Sequence, residues 1–310
     1  MRVLFWGTPD FATPPLRALL GEGFDVVAVV TQPDKPVGRS RSTVKSPPVK
    51  TVALEEGIPV LQPAKPAGDD FLAQLRALAP DISVVVAYGH LLPENVIELP
   101  RLGTLNIHAS LLPRLRGAAP IQAAIREGHD HTGVTIMRVV RRMDAGPCLL
   151  QLGTRLHEDE TYGDLAQRLS ELGAAALVES LALIELGRAE EVPQDESLAT
   201  YAPKIDRATT RVDWSLDAKA VARVVRAYDP RPGAVATLDG QDVKLFGARL
   251  APSPESAADG EVLSVDDGGM VVACRTGALR LLEVQPTGRR RMATAEWHRG
   301  RGIAPGQRFG

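Results

Sequence analysis

The sequence predicts a two-domain protein of the α/β class, an open sheet domain first and a small β-barrel-like domain after it. Three observations carry that expectation. The chain has 310 residues, more than one hydrophobic core usually organises. Its first part alternates short apolar runs with helical stripes, the βαβ pattern of a parallel sheet. Its last part offers one helix and five short β runs in under 100 residues, which suggests a small barrel.

Taken in order, "RVLFWG" is an apolar run of strand length, and "TPDFATPPLRALLGEGF" follows it as a helix. Asp10 or Thr13 is placed to cap that helix, Leu16, Leu19 and Leu20 form its stripe, and Gly21 and Gly23 stop it. "DVVAVVTQ" then reads as a second buried strand, completing a right-handed βαβ unit. "DISVVVAYG" and "GTLNIHAS" are further strands, and "PIQAAIREG" is a helix after the second. "TGVTIMRVVRRMDAGPCLLQLGTRL" reads as two strands joined around Asp144, Gly146 and Pro147. "TYGDLAQRLSELGAAALVESLALIELG" is a long amphipathic helix striped by Leu165, Leu169, Leu172 and Ala176. Residues 188–206 lose apolar periodicity and are expected to link residues 1–187 to residues 207–310. Beyond them come the helix "DAKAVARVVRAY" and the runs "GAVATL", "DVKLFGARL", "GEVLSV", "GMVVACR" and "ALRLLEV", with Asp239-Gly240 a hairpin signal between the first two.

Composition narrows the function classes. A hydrophobic fraction of 44% and a charged fraction of 24% are those of a folded globular chain. No apolar run is long enough to span a membrane and the N-terminus has no signal-peptide pattern, so a cytosolic protein is expected. Cys148 and Cys274 sit in apolar contexts without metal-ligand spacing and read as buried thiols. The net charge of -2 hides an asymmetry: residues 1–206 hold 20 basic side chains against 26 acidic, and residues 207–310 hold 16 against 12. The C-terminal part is basic.

The chemistry-bearing stretch is "GTLNIHASLLPRLRGAAPI", residues 103–121. Strand period two puts Asn106 and His108 on one face, at the carboxyl edge where open α/β sheets bind ligands. An amide NH2 and an imidazole N–H side by side can donate to one oxygen as it becomes an oxyanion. Asp144 is the carboxylate best placed in the sequence to hold the imidazole's other nitrogen. No Ser-His-Asp or Cys-His order stands out, so direct transfer between bound substrates fits better than a covalent intermediate. Spacing alone leaves a plainer alternative open: two satisfied polar groups at a strand end, with Asp144 merely shaping the turn before Gly146.

Together, "NIHASLLPRLRGAAPIQAAI", "TGVTIMRVVRRMDAGP", "GTPDFA" and "VVAVVTQPDKPVGR" resemble the folate-dependent formyltransferases. The match lies closest to members that formylate methionine carried by initiator tRNA. The resemblance implies a Rossmann-like N-terminal domain with the formyltransferase fold and a C-terminal domain of the oligonucleotide-binding barrel type. It implies 10-formyltetrahydrofolate as co-substrate, methionyl initiator tRNA as acceptor, and no metal. By motif, Asn106, His108 and Asp144 fall on the family's catalytic trio, and Ser110, Leu111, Leu112 and Pro113 on its folate-lining segment. Tyr88 and Gly89 would border the pterin. A monomer is expected, since nothing in the sequence demands a dimer.

The segment 32–50 carries four prolines and the basic residues Lys35, Arg39, Arg41, Lys45 and Lys50 against one acid, Asp34. Such a loop inside a compact domain is either functional or merely solvated. The resemblance assigns it to the tRNA acceptor end, with Arg39 the principal contact and Arg41 and Lys45 beside it. "GRRRM" adds a second basic cluster, from which Arg290 is expected to meet RNA phosphates. Three positions depart from the family pattern: "GRSRS" rearranges the loop charges, Leu115 stands where an aromatic is common, and Met143 replaces a usual Leu.

Overall fold

The computed structural model describes residues 1–37, 43–252 and 257–310. They form two compact units, one of residues 1–117, 131–155 and 166–201, the other of residues 118–130, 156–165 and 202–310.

The chain begins with β1 (Arg2–Gly7), a short turn at Asp10–Ala12, α1 (Thr13–Gly21) and β2 (Asp25–Val30). Then come the hairpin strands β3 (Lys35–Val37) and β4 (Thr43–Lys45), α2 (Pro48–Glu55), β5 (Val60–Leu61), α3 (Asp69–Ala77), β6 (Ile82–Val86), α4 (Glu94–Ile97) and β7 (Thr104–His108). After α5 (Pro120–Glu127), which groups with the second unit, follow β8 (His131–Arg138), β9 (Cys148–Arg155) and α6 (Tyr162–Glu185). The main sheet runs in the order β5-β2-β1-β6-β7-β8-β9. Its first part is parallel, as the βαβ pattern predicts, but β7, β8 and β9 pair antiparallel, so the sheet is mixed. The apolar runs are buried because helices cover both faces: Val3, Leu4, Phe5 and Trp6 are all 1% exposed or less.

Neither Asp10 nor Thr13 caps α1 with its side chain. The Thr13 hydroxyl donates back to the Asp10 carbonyl at 2.9 Å inside the preceding turn, and prolines at the first helical positions remove the donors that a cap would serve. On α6, Leu165, Leu169 and Ala176 are fully buried as the stripe predicts, while Leu172 is only half-buried.

The expected linker, residues 188–206, is divided between the units. Residues 188–201 pack with the first: Val192 and Cys148 exchange both backbone hydrogen bonds at 2.9 Å, extending the β9 edge, and Thr200 pairs with the loop after β7.

The second unit contains α7 (Ala218–Ala227), whose Asp217 accepts from the Ala220 N–H as an N-cap. Its antiparallel sheet runs β10 (Ala234–Leu238), β11 (Gln241–Ala251), β14 (Ala278–Pro286), β13 (Gly269–Ala273) and β12 (Val262–Asp266), with β15 (Met292–Ala293) on β14 and the short α8 (Thr294–Arg299) beyond. Asp239 and Gly240 both have positive φ, 49° and 77°, as the tight two-residue hairpin requires. The chain end joins the two outer strands of this sheet. Gln307 and Phe309 pair with Val262 and Gly260, and Gly310 exchanges hydrogen bonds with Thr237. That closure makes the sheet barrel-like around Val225, Leu245, Leu279, Leu281 and the stacked pair Trp214 and Phe309. Among the described residues no helix is long and apolar enough to cross a membrane.

Candidate active site

β7 lies between β6 and β8, with Asn106 opposite Val85 on one side and Met137 on the other. Period two carries Thr104, Asn106 and His108 to one face, as read from the sequence. Thr104 is buried and spends its hydroxyl on the Ile97 carbonyl at 2.7 Å. Asn106 is half-buried, and among the described residues nothing pairs with its carboxamide. His108, 5% exposed, closes the strand.

The His108 ring is held from both sides. Its Nε2 lies 2.9 Å from the Leu115 carbonyl, which can only accept, so that nitrogen carries the proton. Nδ1 therefore faces the Asp144 carboxylate, whose Oδ2 is 3.7 Å away. The same Oδ2 accepts the Gly117 N–H at 2.8 Å. Asp144, Leu115 and Gly117 all have positive φ, 51°, 59° and 117°, so two left-handed turns bring carboxylate and imidazole together. The Asp144 turn is tight: a Cβ on Gly146 would lie 1.9 Å from the Arg138 carbonyl oxygen, a position only glycine can occupy.

A third segment locks the other two, and sequence reasoning missed it. The Thr200 hydroxyl accepts the Leu115 N–H at 2.9 Å and its carbonyl accepts the Arg116 N–H at 2.9 Å. Arg116 is 1% exposed, with its guanidinium donating to Gln194 Oε1 at 2.7 and 3.0 Å and to both Glu196 oxygens at 2.9 and 3.0 Å. The Gln194 amide donates in turn to the carbonyls of Asp144, at 2.9 Å, and Gly146, at 2.7 Å. The hydrogen bond from Arg116 holds the Glu196 carboxyl below its ordinary pKa, and Glu196 in return raises that of Arg116. Arg142 completes the cluster: it sits 2.7 Å from Glu196, and its pKa is raised first by the Tyr201 hydroxyl and then by Glu196. Gln194, Glu196 and Thr200 lie in "VPQDESLAT", which has no periodicity, and their partners are about 50 to 85 residues away.

The segment Ser110–Pro113 leaves β7 at the edge where Tyr88 and Gly89 leave β6. Its backbone polar groups are largely spent within the protein. Thr135 donates to the Ser110 carbonyl at 2.7 Å and accepts from the Leu112 N–H at 3.1 Å, and Gln151 donates to the Leu112 carbonyl at 2.8 Å. Leu112 is buried, Leu111 and Pro113 are half-buried, and the Ser110 hydroxyl donates to the Arg114 carbonyl at 2.6 Å. The segment offers a ligand a fixed apolar wall. Tyr88 contributes only backbone there: its side chain, 1% exposed, packs edge-on to Trp6 in the cluster that holds Leu4 and Val85, the left-handed Ala87 (φ 47°) having turned it off the face of Val84 and Val86, while its carbonyl accepts from Thr8 at 2.9 Å and Gln32 at 3.2 Å. Burial pushes its phenol up to about 12. Gly89 follows with φ at 92°.

Of the basic segment, Arg39 and Arg41 lie outside the described residues. What flanks them is a hairpin, with Lys35 and Lys45 exposed and directly opposite each other, two like charges that an anion between them would relieve. Lys50 is otherwise engaged, 2.7 Å from Asp34, whose carboxyl it draws below the usual range. Arg290 is exposed and sits 2.6 Å from Glu296, while Arg291 lies over the Phe246 ring between Asp229 and Glu283. Cys274 is buried, its thiol raised to about 12 by that burial, and Cys148 is half-buried and raised for the same reason. Among the described residues no three His, Cys, Asp or Glu side chains gather as a metal-ion cluster would.

Comparison with known proteins identifies the family. Residues 1–181 match the formyl transferase family and residues 204–302 the formyl transferase C-terminal domain. Methionyl-tRNA formyltransferase of Geobacillus thermodenitrificans is 45% identical over 99% of this chain and 97% of its own, and that of Methylococcus capsulatus is 46% identical over the full length of both. Among solved structures, HypX from Aquifex aeolicus in complex with tetrahydrofolic acid superposes with a TM-score of 0.69 at 23% identity, over 96% of this chain. This chain spans 46% of HypX, about half its length, and at that identity the likeness concerns the fold. By its N-terminal and C-terminal domains and by its full-length relatives, the chain belongs to the methionyl-tRNA formyltransferase family of folate-dependent formyl transferases.

Proposed function

We propose that this protein transfers the formyl group of 10-formyltetrahydrofolate to the α-amine of methionine esterified to initiator tRNA, acting in the cytosol as a monomer. The observation that carries the site assignment is the convergence of Asn106, His108 and Asp144 on one sheet edge, with the Asn106 carboxamide open and the His108 ring poised against a carboxylate 3.7 Å away.

The amine's lone pair attacks the formyl carbon and the carbonyl oxygen takes up the negative charge; the adduct then collapses by breaking the bond from the formyl carbon to N10, which leaves as tetrahydrofolate with a proton that balances the one the amine gives up. Asn106 donates its NH2 to that oxygen, a fixed dipole aimed where charge develops. His108 can join it only when its Nε2–H leaves the Leu115 carbonyl, so the loop holding Leu115 shifts as the acceptor enters. Asp144, facing Nδ1, stabilises the imidazolium and assists removal of the amine's proton. Ser110 to Pro113 and the backbone at Tyr88 and Gly89 form the wall for the folate, and Leu115, where an aromatic is common, bears on how the methionyl or acceptor end is held. Lys45, with Arg39 and Arg41 of the same segment, grips acceptor-stem phosphates, and Arg290 adds a sequence-indifferent contact from the second unit. In this reading residues 1–187 bind folate and do the chemistry, and residues 207–310 bind tRNA.

The test is direct. Incubated with 10-formyltetrahydrofolate and methionyl initiator tRNA, the protein should yield N-formylmethionyl-tRNA. Formylation of a sugar-nucleotide amine or a ribonucleotide amine instead would reassign the acceptor. RNA and folate binding without formylation of any amine would make the protein a binding module.

A further inference from the structure

We propose that Gln194 is a positioning residue for formyl transfer, setting through Asp144 the distance at which the carboxylate meets His108. The inference rests on the reading of Asp144 and His108 given above.

The side-chain amide of Gln194 has four hydrogen-bonding positions, two N–H donors and two lone pairs on Oε1. All four are used. Oε1 accepts from Arg116 twice, at 2.7 and 3.0 Å, and Nε2 donates to the Asp144 and Gly146 carbonyls at 2.9 and 2.7 Å. The orientation of the amide is dictated by chemistry: a guanidinium only donates and carbonyls only accept, so the oxygen must face Arg116 and the nitrogen the turn. One planar group thus ties the loop that carries Leu115 to the turn that carries Asp144. These are the two elements that touch the two nitrogens of His108.

The tie matters because neither element is held by regular structure. Asp144, Leu115 and Gly117 occupy left-handed backbone that costs energy unless its surroundings enforce it. Asp144 reaches His108 at 3.7 Å, outside hydrogen-bond range, so a small rotation of the turn decides whether the pair closes when the imidazole is charged. The Gln194 amide spends its hydrogen bonds on Arg116, Asp144 and Gly146, not on the His108 ring, and acts through these neighbours.

The discriminating variant is Gln194→Glu. A carboxylate keeps, and strengthens, the link to Arg116, but it sets an oxygen against the Asp144 and Gly146 carbonyls, two acceptors with nothing to share. If Gln194 served only to anchor Arg116, the change would be neutral. We expect kcat for methionyl-tRNA formylation to fall by about 10- to 100-fold, with KM for folate and for tRNA each within about twofold. Gln194→Ala should show the same split, and both variants should be assayed well below their melting temperatures so that a loss of fold does not enter. A second readout is independent of the reaction: in the substrate-free protein, the ¹⁵N shifts of His108 Nδ1 and Nε2 should move in Gln194→Glu, because the carboxylate beside Nδ1 moves. Turnover within twofold of the parent, a loss confined to KM, or unchanged His108 shifts would overturn the proposal. Were the parent to formylate some other amine, the function reading would fail while the His108 shifts still tested Gln194.

Discussion

Two arginine-bearing loops, one in each unit, carry similar sequence and play opposite parts. Arg116, from "PRLRG", is 1% exposed and saturates its guanidinium on Gln194 and Glu196. Arg290, from "GRRRM", stands in solvent beside Glu296. Buried and bidentate, the first fixes geometry. Exposed and screened, the second adds little to stability and stays free to exchange its partner for a phosphate. A count of positive charges cannot separate the two, because what differs is the solvent around them.

The contrast can be broken at several strengths. The largest effect should come from what Arg116's cluster holds: Asp144→Ala should lower kcat by about 10²- to 10³-fold with tRNA binding little changed, and a loss seen only as tRNA affinity would remove Asp144 from the chemistry. Next, Arg116→Ala leaves Gln194 and Glu196 facing an empty site and should lower both turnover, by about tenfold, and the melting temperature, by about 5 °C; calorimetry showing no change would deny the cluster its structural role. Acid sharpens the comparison further. Glu196, with its pKa depressed by Arg116, contributes stability in full above the ordinary carboxylate value of 4.5 and loses it as pH falls through the lower folded value. The acid limb of melting temperature against pH should therefore be shallower in Arg116→Ala than in the parent. Half-exposure of Glu196 keeps that difference modest. Smallest of all, Arg290→Ala should leave the melting temperature within about 1 °C and raise KM for tRNA only about two- to threefold, more weakly dependent on salt than the parent. A large stability loss there would erase the distinction between the loops.

Much of this was legible from short-range pattern. Period two placed Asn106 and His108 on one face, and the Asp-Ala-Gly-Pro run signalled the bend at Asp144. The same period fails two residues past β6: it would have set Tyr88 beside Val84 and Val86, but Ala87, at a positive φ of 47°, turns Tyr88 onto the other face, into the core with Trp6 and Val85, away from the ligand side that the family resemblance gave it. Helix capping at Asp10 and Thr13 failed because prolines had already removed the donors at stake. Gln194, Glu196 and Thr200 left no trace in the pattern, since a polar residue that pairs across about 50 to 85 positions looks the same in sequence as one facing water. The antiparallel turn of the sheet at β7 and β8 was hidden too, because helix-length chain between strands fits either direction.

The strap at residues 192–201 has a consequence for anyone dividing this chain. A fragment ending at residue 187 would keep every member of the Asn106, His108 and Asp144 trio and would pass for an intact catalytic half. It would lack Gln194, Glu196 and Thr200, and with them the backbone pairing of Val192 to Cys148. The smallest piece that retains the site's hydrogen bonds must run through Tyr201, so the functional border falls beyond the last long helix, inside the stretch that looks like a spacer.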